Sequence, residues 1–233
     1  MLTFTHYLPV LSSVVSFAFA IVLFRHWRRK PEAMHLAWWT LGVLLYGVGT
    51  LTEAVTALAG WHQSVFKVWY IAGALLGAAP LAQGTVYLLL RRRVADVLAV
   101  ILIVYEIVAA VCVALSPVDR SLVDPARLSG NVLVWQWVRL FSPVPNTYAL
   151  IFLVGGALWS AWRFSQRKAT GNRVWGNILI AVGALLPGIG GSFTRLGYVE
   201  VLFVTELAGI LLIWGGYYLI ERRRVVPAAQ ASA

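Results

Sequence analysis

Charged residues are scarce in this chain: they make up 12% of its 233 residues, whereas soluble domains contain about 25%. Cysteine occurs once, as Cys112, so a disulfide within the chain is impossible and no cysteine-based metal motif can form. The sequence contains no P-loop, no Gly-x-Ser-x-Gly nucleophile elbow and no HExxH zinc motif. What the chain has instead is 60% hydrophobic residues and a mean hydropathy of +0.78. This composition excludes a soluble enzyme, a disordered chain and a disulfide scaffold, and it indicates a protein that crosses a membrane several times.

Seven apolar runs are long enough to span a bilayer, which takes about 20 predominantly apolar residues as a helix. The sequence therefore predicts an all-α fold, a single seven-helix transmembrane domain over residues 1–224, followed by a short cytoplasmic tail at 225–233. The predicted helices cover residues 3–24, 33–58, 68–90, 94–115, 144–162, 174–196 and 198–220, with an outer loop at 116–143. Within that loop, the aromatic stretch 132–141 is typical of a segment lying at the membrane surface.

The positions of the basic residues predict the orientation. Fourteen of the 19 lysines and arginines lie in four clusters that follow helices 1, 3, 5 and 7. Positive residues favour the cytoplasmic side, so the N-terminus is expected outside and the C-terminus inside, in a bacterial plasma (inner) membrane. Anionic lipid headgroups are the expected partners of these clusters, and nucleic acid is not expected. The arginines assigned to lipid are Arg25, Arg28, Arg29, Arg91, Arg92, Arg93, Arg222, Arg223 and Arg224.

A weak internal repeat relates the two ends of the chain. Residues 84–94 (GTVYLLLRRRV) and 215–225 (GGYYLIERRRV) are identical at seven of eleven positions. Helices 1–3 and 5–7 are therefore candidates for parallel three-helix repeats, with helix 4 as the linker between them. In topology this 3+1+3 plan resembles the SWEET sugar transporters and their PQ-loop relatives, and it also resembles opsin-like proteins and other bacterial seven-helix membrane proteins.

The resemblance to these families does not extend to their motifs. Retinal proteins need a Schiff-base lysine in helix 7, and the lysines of this chain are Lys30, Lys67 and Lys168. No retinal Schiff base is therefore expected, and no other cofactor or metal is predicted. The Pro-Gln dipeptide of the PQ-loop proteins is also missing, since Pro80 and Gln83 stand three residues apart. The topology thus implies a fold but no sugar substrate.

Ionisable residues inside the apolar helices are the candidate ligand-binding groups, because each costs about 2.5–3.5 kcal/mol at the centre of a membrane helix. The sequence predicts a polar cavity that opens to the outside. Two further polar candidates are Glu106 near the middle of helix 4 and Gln83 in the inner half of helix 3. The alternative is that all these groups form hydrogen bonds between helices. The residues expected to line the outer cavity are Glu53, Arg195, Glu200 and Glu206.

Glycine and proline in two helices allow two interpretations. Helix 6 contains Pro187 within the glycine-rich stretch 183–191, and helix 3 contains Gly73 and Gly77 ahead of Pro80. Broken helices often mark transporter binding sites, whereas small residues also let helices pack closely. Packing is the favoured interpretation.

Three functions are consistent with these features. The favoured hypothesis is a membrane protein that binds a small ligand or ion in a polar cavity, as a transporter or receptor does. The alternative is a non-catalytic structural or assembly subunit of a larger membrane complex, which the lack of catalytic motifs would allow. An intramembrane enzyme acting on lipid is a third, weaker hypothesis, because it would need a metal or a paired acid site.

Overall fold

The structure, a computed structural model, describes residues 4–125, 127–166 and 171–221, and it contains seven helices long and apolar enough to cross a membrane. The predicted number of spanning helices is therefore confirmed. Over these residues the chain is helical apart from loops and one isolated bridge between Val118 and Leu133. The helices are α1 (Phe4–Arg29), α2 (Met34–Ala59), α3 (Gln63–Leu89), α4 (Arg92–Leu115), α5 (Gln136–Gln166), α6 (Gly171–Arg195) and α7 (Val199–Glu221).

Three helices extend five or more residues beyond their predicted bounds, among them α3, which begins at Gln63 rather than Val68. α1 continues past Phe24 through the basic cluster to Arg29, since long basic side chains keep their charge in water while the helix continues. α5 begins at Gln136 rather than Val144, because a 3₁₀ segment, Gln136–Phe141, leads directly into it. Most of the aromatic stretch predicted to lie at the membrane surface is thus the first part of α5.

α3 is an irregular helix. It consists of Gln63–Trp69, a π-helical segment Tyr70–Leu75, a turn and a second α-helical segment Ala79–Leu89. Pro80 stands in the first turn of that second segment, where the missing N–H of proline costs nothing and its fixed φ favours a helix start. α6 differs, since it continues through Pro187 without a break. The interruption expected from proline therefore occurs in α3 and not in α6.

Six of the helices form a closed ring. α1 packs on α2, α2 on α3, α3 on α5, α5 on α6, α6 on α7, and α7 returns to α1. The side chains buried inside the ring come from several of these helices, including Phe19 of α1, Val43 of α2, Leu81 of α3 and Ile210 of α7. α4 lies outside the ring against α3 and the start of α5, and most of its large apolar side chains are exposed, as lipid contact requires.

Glycines bring α6 and α7 together. A Cβ atom at Gly183 would lie 2.6 Å from the carbonyl oxygen of Gly209, and one at Gly216 would lie 2.4 Å from that of Gly176. Helix backbones can approach this closely only where side chains are absent. The packing interpretation is therefore confirmed at Gly183, whereas Gly188 in the same stretch faces open space.

The two ends of the ring differ. We call the end that carries the loops after α1, α3 and α5 the basic end, and the opposite end the loop end. At the loop end, the connection between α4 and α5 packs Leu128, Val132 and Leu133 against Phe66 and other residues of α3. The guanidinium of Arg127 also donates to the carbonyl oxygen of Thr194, near the end of α6 (3.2 Å). The long loop thus packs on α3 and reaches the end of α6. Arg222, Arg223, Arg224 and the predicted tail at 225–233 lie outside the described residues.

Candidate functional site

Two acidic side chains meet inside the ring near the loop end. Glu53 stands six residues before the end of α2, and Glu206 seven residues after the start of α7. At 1.5 Å per residue, both lie roughly 9–10 Å below the ends of their helices. The two carboxyl groups lie close enough for each to act electrostatically on the other. Only 6% of Glu53 and 9% of Glu206 is exposed, so the pair is buried between α2 and α7. We call these two residues the acidic pair.

Two side chains donate hydrogen bonds to the acidic pair. The indole N–H of Trp69 donates to Oε1 of Glu53 (2.8 Å). The hydroxyl of Tyr46 donates to the backbone carbonyl oxygen of Glu206 (2.8 Å) and so ties α2 to α7. Among the described residues, Oε2 of Glu53 and Oε2 of Glu206 have no hydrogen-bond partner, and neither carboxyl group takes part in an ion pair. Each acid therefore keeps one buried oxygen available.

The other two residues expected to line the outer cavity lie elsewhere. Arg195 at the end of α6 and Glu200 in the first turn of α7 are both exposed. Arg195 forms none of the ion pairs found between described residues. The structure thus brings together two of the four residues expected to line an outer cavity and leaves the other two at the surface.

Gln83 of α3 links its helix to α4 and α5 by hydrogen bonds. Its side-chain amide donates to the carbonyl oxygen of Ala95 in α4 (2.9 Å), and its carbonyl oxygen accepts from the hydroxyl of Tyr148 in α5. Gln83 is fully buried. Its hydrogen-bonding capacity is used in holding α4 and α5 against α3, which is the alternative considered for this residue.

Glu106 lies apart from the acidic pair, on the peripheral helix α4. It belongs to the buried stripe of that helix, between Leu102 and Ala109. It is 6% exposed, and within the described part of the chain its two carboxyl oxygens have no hydrogen-bond partner. Because α4 stands outside the ring, Glu106 and the acidic pair belong to different parts of the molecule.

The principal cavity opens at the basic end rather than at the loop end. It has a volume of about 470 Å³ and is lined by all six helices of the ring. Phe19, Val43, Leu81 and Ile213 are buried apolar residues of its lining. Arg163 and Trp159 are exposed residues at the mouth. The cavity expected from the sequence, lined by Glu53, Arg195, Glu200 and Glu206, would lie at the opposite end of the bundle.

One wall of the cavity carries a polar group of three residues from α1 and α7. Nδ1 of His26 lies 2.6 Å from the hydroxyl of Tyr217, and Nε2 of His26 lies 3.6 Å from a carboxyl oxygen of Glu221. Ser160 and Asn177 add polar atoms on the facing side, from α5 and α6. We call His26, Tyr217 and Glu221 the polar wall.

The polar wall could not be identified from sequence spacing. His26 stands in a basic segment that suggests a solvated side chain, and Tyr217 is 191 residues away. Only the contact between the first and last helices brings them together. The single available signal was that three polar residues occupy the last turns of two apolar helices.

Comparison with known proteins adds no assignment. No protein-family model matches the chain, and no curated protein or solved structure shows significant similarity to it. Among the described residues, no group of three or more histidine, cysteine, aspartate or glutamate side chains is arranged to hold a metal ion. The protein is thus defined by its architecture: a seven-helix membrane protein with a buried acidic pair and a cavity in its helix ring.

Proposed function

We propose that this protein is a transporter-like membrane protein that binds a small organic molecule in the cavity at the basic end. The observation that carries the proposal is the participation of all six ring helices in one cavity of about 470 Å³. Small-molecule sites have volumes of roughly 300–1,000 Å³ and often lie between the helices of bundles. A cavity shared by every helix of the ring also changes shape whenever the helices move against one another.

The lining indicates the chemical class of the ligand. Deep in the cavity the walls are apolar and aromatic, with Phe19 stacked on Trp214 behind them (ring centroids 5.2 Å apart). Polar and charged groups lie toward the basic end, where Arg163 and the polar wall stand. A molecule with an apolar body and one polar or charged end fits this division, with the body held deep and the polar end toward the mouth.

The contacts at the loop end support transport over passive reception. A carrier that alternates its access has a site open to one side and sealed from the other. The contacts that would form such a seal are the packing of the loop on α3, the bond from Arg127 to Thr194 and the bond from Tyr46 of α2 to α7. The proposed ligand would enter at the basic end in this state.

We also propose an orientation of the protein in the membrane. The basic end faces the cytoplasm of a bacterial cell, and Arg25, Arg28, Arg29 and Arg91 to Arg93 contact anionic lipid headgroups there. The place of α4 outside the ring supports the idea that it links two three-helix units. In this arrangement the units α1–α3 and α5–α7 enclose the cavity between them.

A binding experiment tests the proposed site. Three probes share one apolar body and differ in charge: 2-naphthoate, 2-naphthamide and 2-naphthylmethylamine. We expect at least one to bind the purified protein and raise its melting temperature, and the preferred charge shows whether Arg163 or Glu221 dominates recognition. Ser160→Trp, which fills the cavity, should abolish the binding. Leu158→Trp is the matched control, since Leu158 lies on the same helix but is exposed.

Two results would contradict this function. If none of the three probes binds, or if Ser160→Trp and Leu158→Trp bind them equally well, the cavity is not the ligand site. If a probe binds, its flux across proteoliposome membranes distinguishes a carrier from a receptor. A carrier moves the probe, and Ser160→Trp stops the movement.

A further inference from the structure

We infer that Glu53 and Glu206 form a proton-binding site, in which one hydrogen ion is shared between their carboxyl groups. This site is separate from the cavity, and its ligand is the hydrogen ion itself. The inference starts from the burial of both side chains where α2 is bonded to α7, and from their two buried Oε2 atoms, which have no hydrogen-bond partner among the described residues. Two carboxyl groups buried together cannot both carry a charge without a compensating ion.

The groups around the pair favour a proton over a metal cation. Calcium takes six to eight oxygen ligands, and magnesium demands six in octahedral geometry. The acidic pair offers two unpartnered oxygens, and its closest neighbours, the indole of Trp69 and the hydroxyl of Tyr46, already use their hydrogens as donors. A single proton between two oxygens needs no further ligand.

Among the described residues, no lysine or arginine forms an ion pair with either carboxyl group. The buried polar side chains of α1 are Ser12, Ser13 and Ser16, and each bonds a carbonyl oxygen of its own helix. Ser13 also bonds Thr50 of α2 (3.0 Å). These groups are polar but do not titrate.

The titratable groups on the neighbouring elements lie nearer the surface. The N-terminal turn packs on α2 and α7 and carries His6 and Tyr7, of which Tyr7 is exposed. α3 brings Lys67, whose ammonium group donates to the carbonyl oxygen of Ala114 (2.6 Å). α6 ends at the exposed Arg195, and α7 itself begins with the exposed Glu200. Tyr46 is the titratable group in direct contact with the pair, through the backbone of Glu206.

Proton occupancy has a mechanical consequence, because the pair joins α2 to α7. With one proton shared, the two carboxyl groups attract each other and α2 stays against α7. Without it, two negative charges repel across a medium of low dielectric constant and favour separation of the helices at the loop end. α7 also carries Tyr217 and Glu221 of the polar wall. If the proposed function holds, proton binding therefore favours the state in which the cavity is open at the basic end.

The proton site is tested first without any ligand. In infrared spectra of the wild-type protein in lipid, we expect a carboxylic-acid C=O band that shifts on exchange into D₂O. Glu53→Gln and Glu206→Gln should each change this band, whereas Glu200→Gln, an exposed acid on the same helix as Glu206, should leave it unchanged. If neither pair variant alters the band, or if sodium or potassium ions abolish it, the pair does not hold a shared proton.

The link to the cavity is tested separately with the naphthyl probe that binds best. The affinity of the wild-type protein for this probe should fall about tenfold as the pH is raised across the range in which the infrared band disappears. A change of this size is typical of coupling between two sites. The double variant Glu53→Gln/Glu206→Gln should show no such dependence, and Glu106→Gln should behave as wild type. A band without pH-dependent binding would leave the proton site intact and overturn its coupling to the cavity. Absence of probe binding would overturn the proposed function alone.

Discussion

The hydroxyl of Tyr217 lies 2.6 Å from Nδ1 of His26, so a hydrogen bond joins the last helix of the chain to the first at the wall of the cavity. On its other side, the same imidazole faces Glu221, with Nε2 3.6 Å from a carboxyl oxygen. His26 thus sits between two side chains of α7. At the opposite end of α7, Glu206 meets Glu53 and accepts the hydroxyl of Tyr46 through its backbone. The position of α7 is therefore set by polar contacts at both ends.

Removing the hydroxyl of Tyr217 should loosen the contact between α1 and α7. Tyr217→Phe keeps the aromatic packing on Phe19 and deletes one hydrogen bond, which between membrane helices contributes about 0.6 kcal/mol on average. We expect a small fall in melting temperature and an altered affinity for the naphthyl probe. Tyr198→Phe, at an exposed tyrosine, should change neither. Equal behaviour of the two variants would show that the bond has no role in the cavity.

A methyl group at Gly183 should disturb the packing of α6 on α7. The new Cβ would lie 2.6 Å from the carbonyl oxygen of Gly209, and overpacking of this kind costs about 1–3 kcal/mol. We expect Gly183→Ala to lower the melting temperature of the protein in detergent micelles. The matched control is Gly188→Ala on the same helix.

Gly188→Ala should leave the melting temperature unchanged or raise it. Among the described residues, no atom beyond its chain neighbours and the surrounding backbone of α6 lies within 4 Å of a Cβ built there, and alanine favours the helix over glycine by about 1 kcal/mol. A comparable loss of stability in the two variants would mean that the close approach of α6 and α7 is not what makes Gly183 necessary.

Replacing Gln83 by leucine should weaken the attachment of α4 and α5 to α3. The substitution leaves the carbonyl oxygen of Ala95 and the hydroxyl of Tyr148 without their buried partner, at about 1–3 kcal/mol for an unsatisfied group. Thermal unfolding measures the loss. In the double variant Gln83→Leu/Tyr148→Phe the loss should be smaller than the sum of the two single losses. Strict additivity would contradict a direct bond between the two side chains.

The orientation can be measured with cysteines, because the chain has one natural cysteine to remove. In a Cys112→Ser background, Leu122→Cys in the long loop should react with a membrane-impermeant maleimide on intact cells. Glu32→Cys, between α1 and α2, should react only after the membrane is permeabilised. Both original residues are exposed, so access to solvent at the site does not limit the reaction. The reverse pattern would place the basic end, and the mouth of the cavity, outside.

The sequence shows which acidic residues stand in apolar helices, but it does not show what each of them does. A carboxyl group in an apolar helix stands out because placing it in the membrane costs free energy. Glu53 and Glu206 are candidates for this reason. By position along the helices, Glu53 is expected in the outer half of the membrane and Glu206 deeper. What depth does not provide is rotation about the helix axis, which decides whether a side chain faces a partner, lipid or water. Arg195 and Glu200 lie at the surface although their positions along the chain are equally suggestive.

The cavity was harder to predict, because its lining is mostly apolar. Residues such as Leu36, Leu153 and Ile213 look the same in a sequence whether they fill a core, face lipid or surround a space. The polar wall adds His26, which stands among arginines and resembles a solvated residue. Its partners are on α7, and nothing local in the sequence connects the two segments.

The seven spanning helices, their approximate bounds and the uneven distribution of positive charge follow from the sequence by itself, since hydrophobicity and backbone hydrogen bonding act over neighbouring residues. The ring of six helices, the exclusion of α4 from it, and the meeting of Glu53 with Glu206 were decided by tertiary structure. These features depend on which helix faces pack together, and that choice rests on shape over long chain separations: glycines that admit a backbone at Gly183 and Gly209, and a tyrosine at position 46 that reaches a carbonyl oxygen 160 residues away.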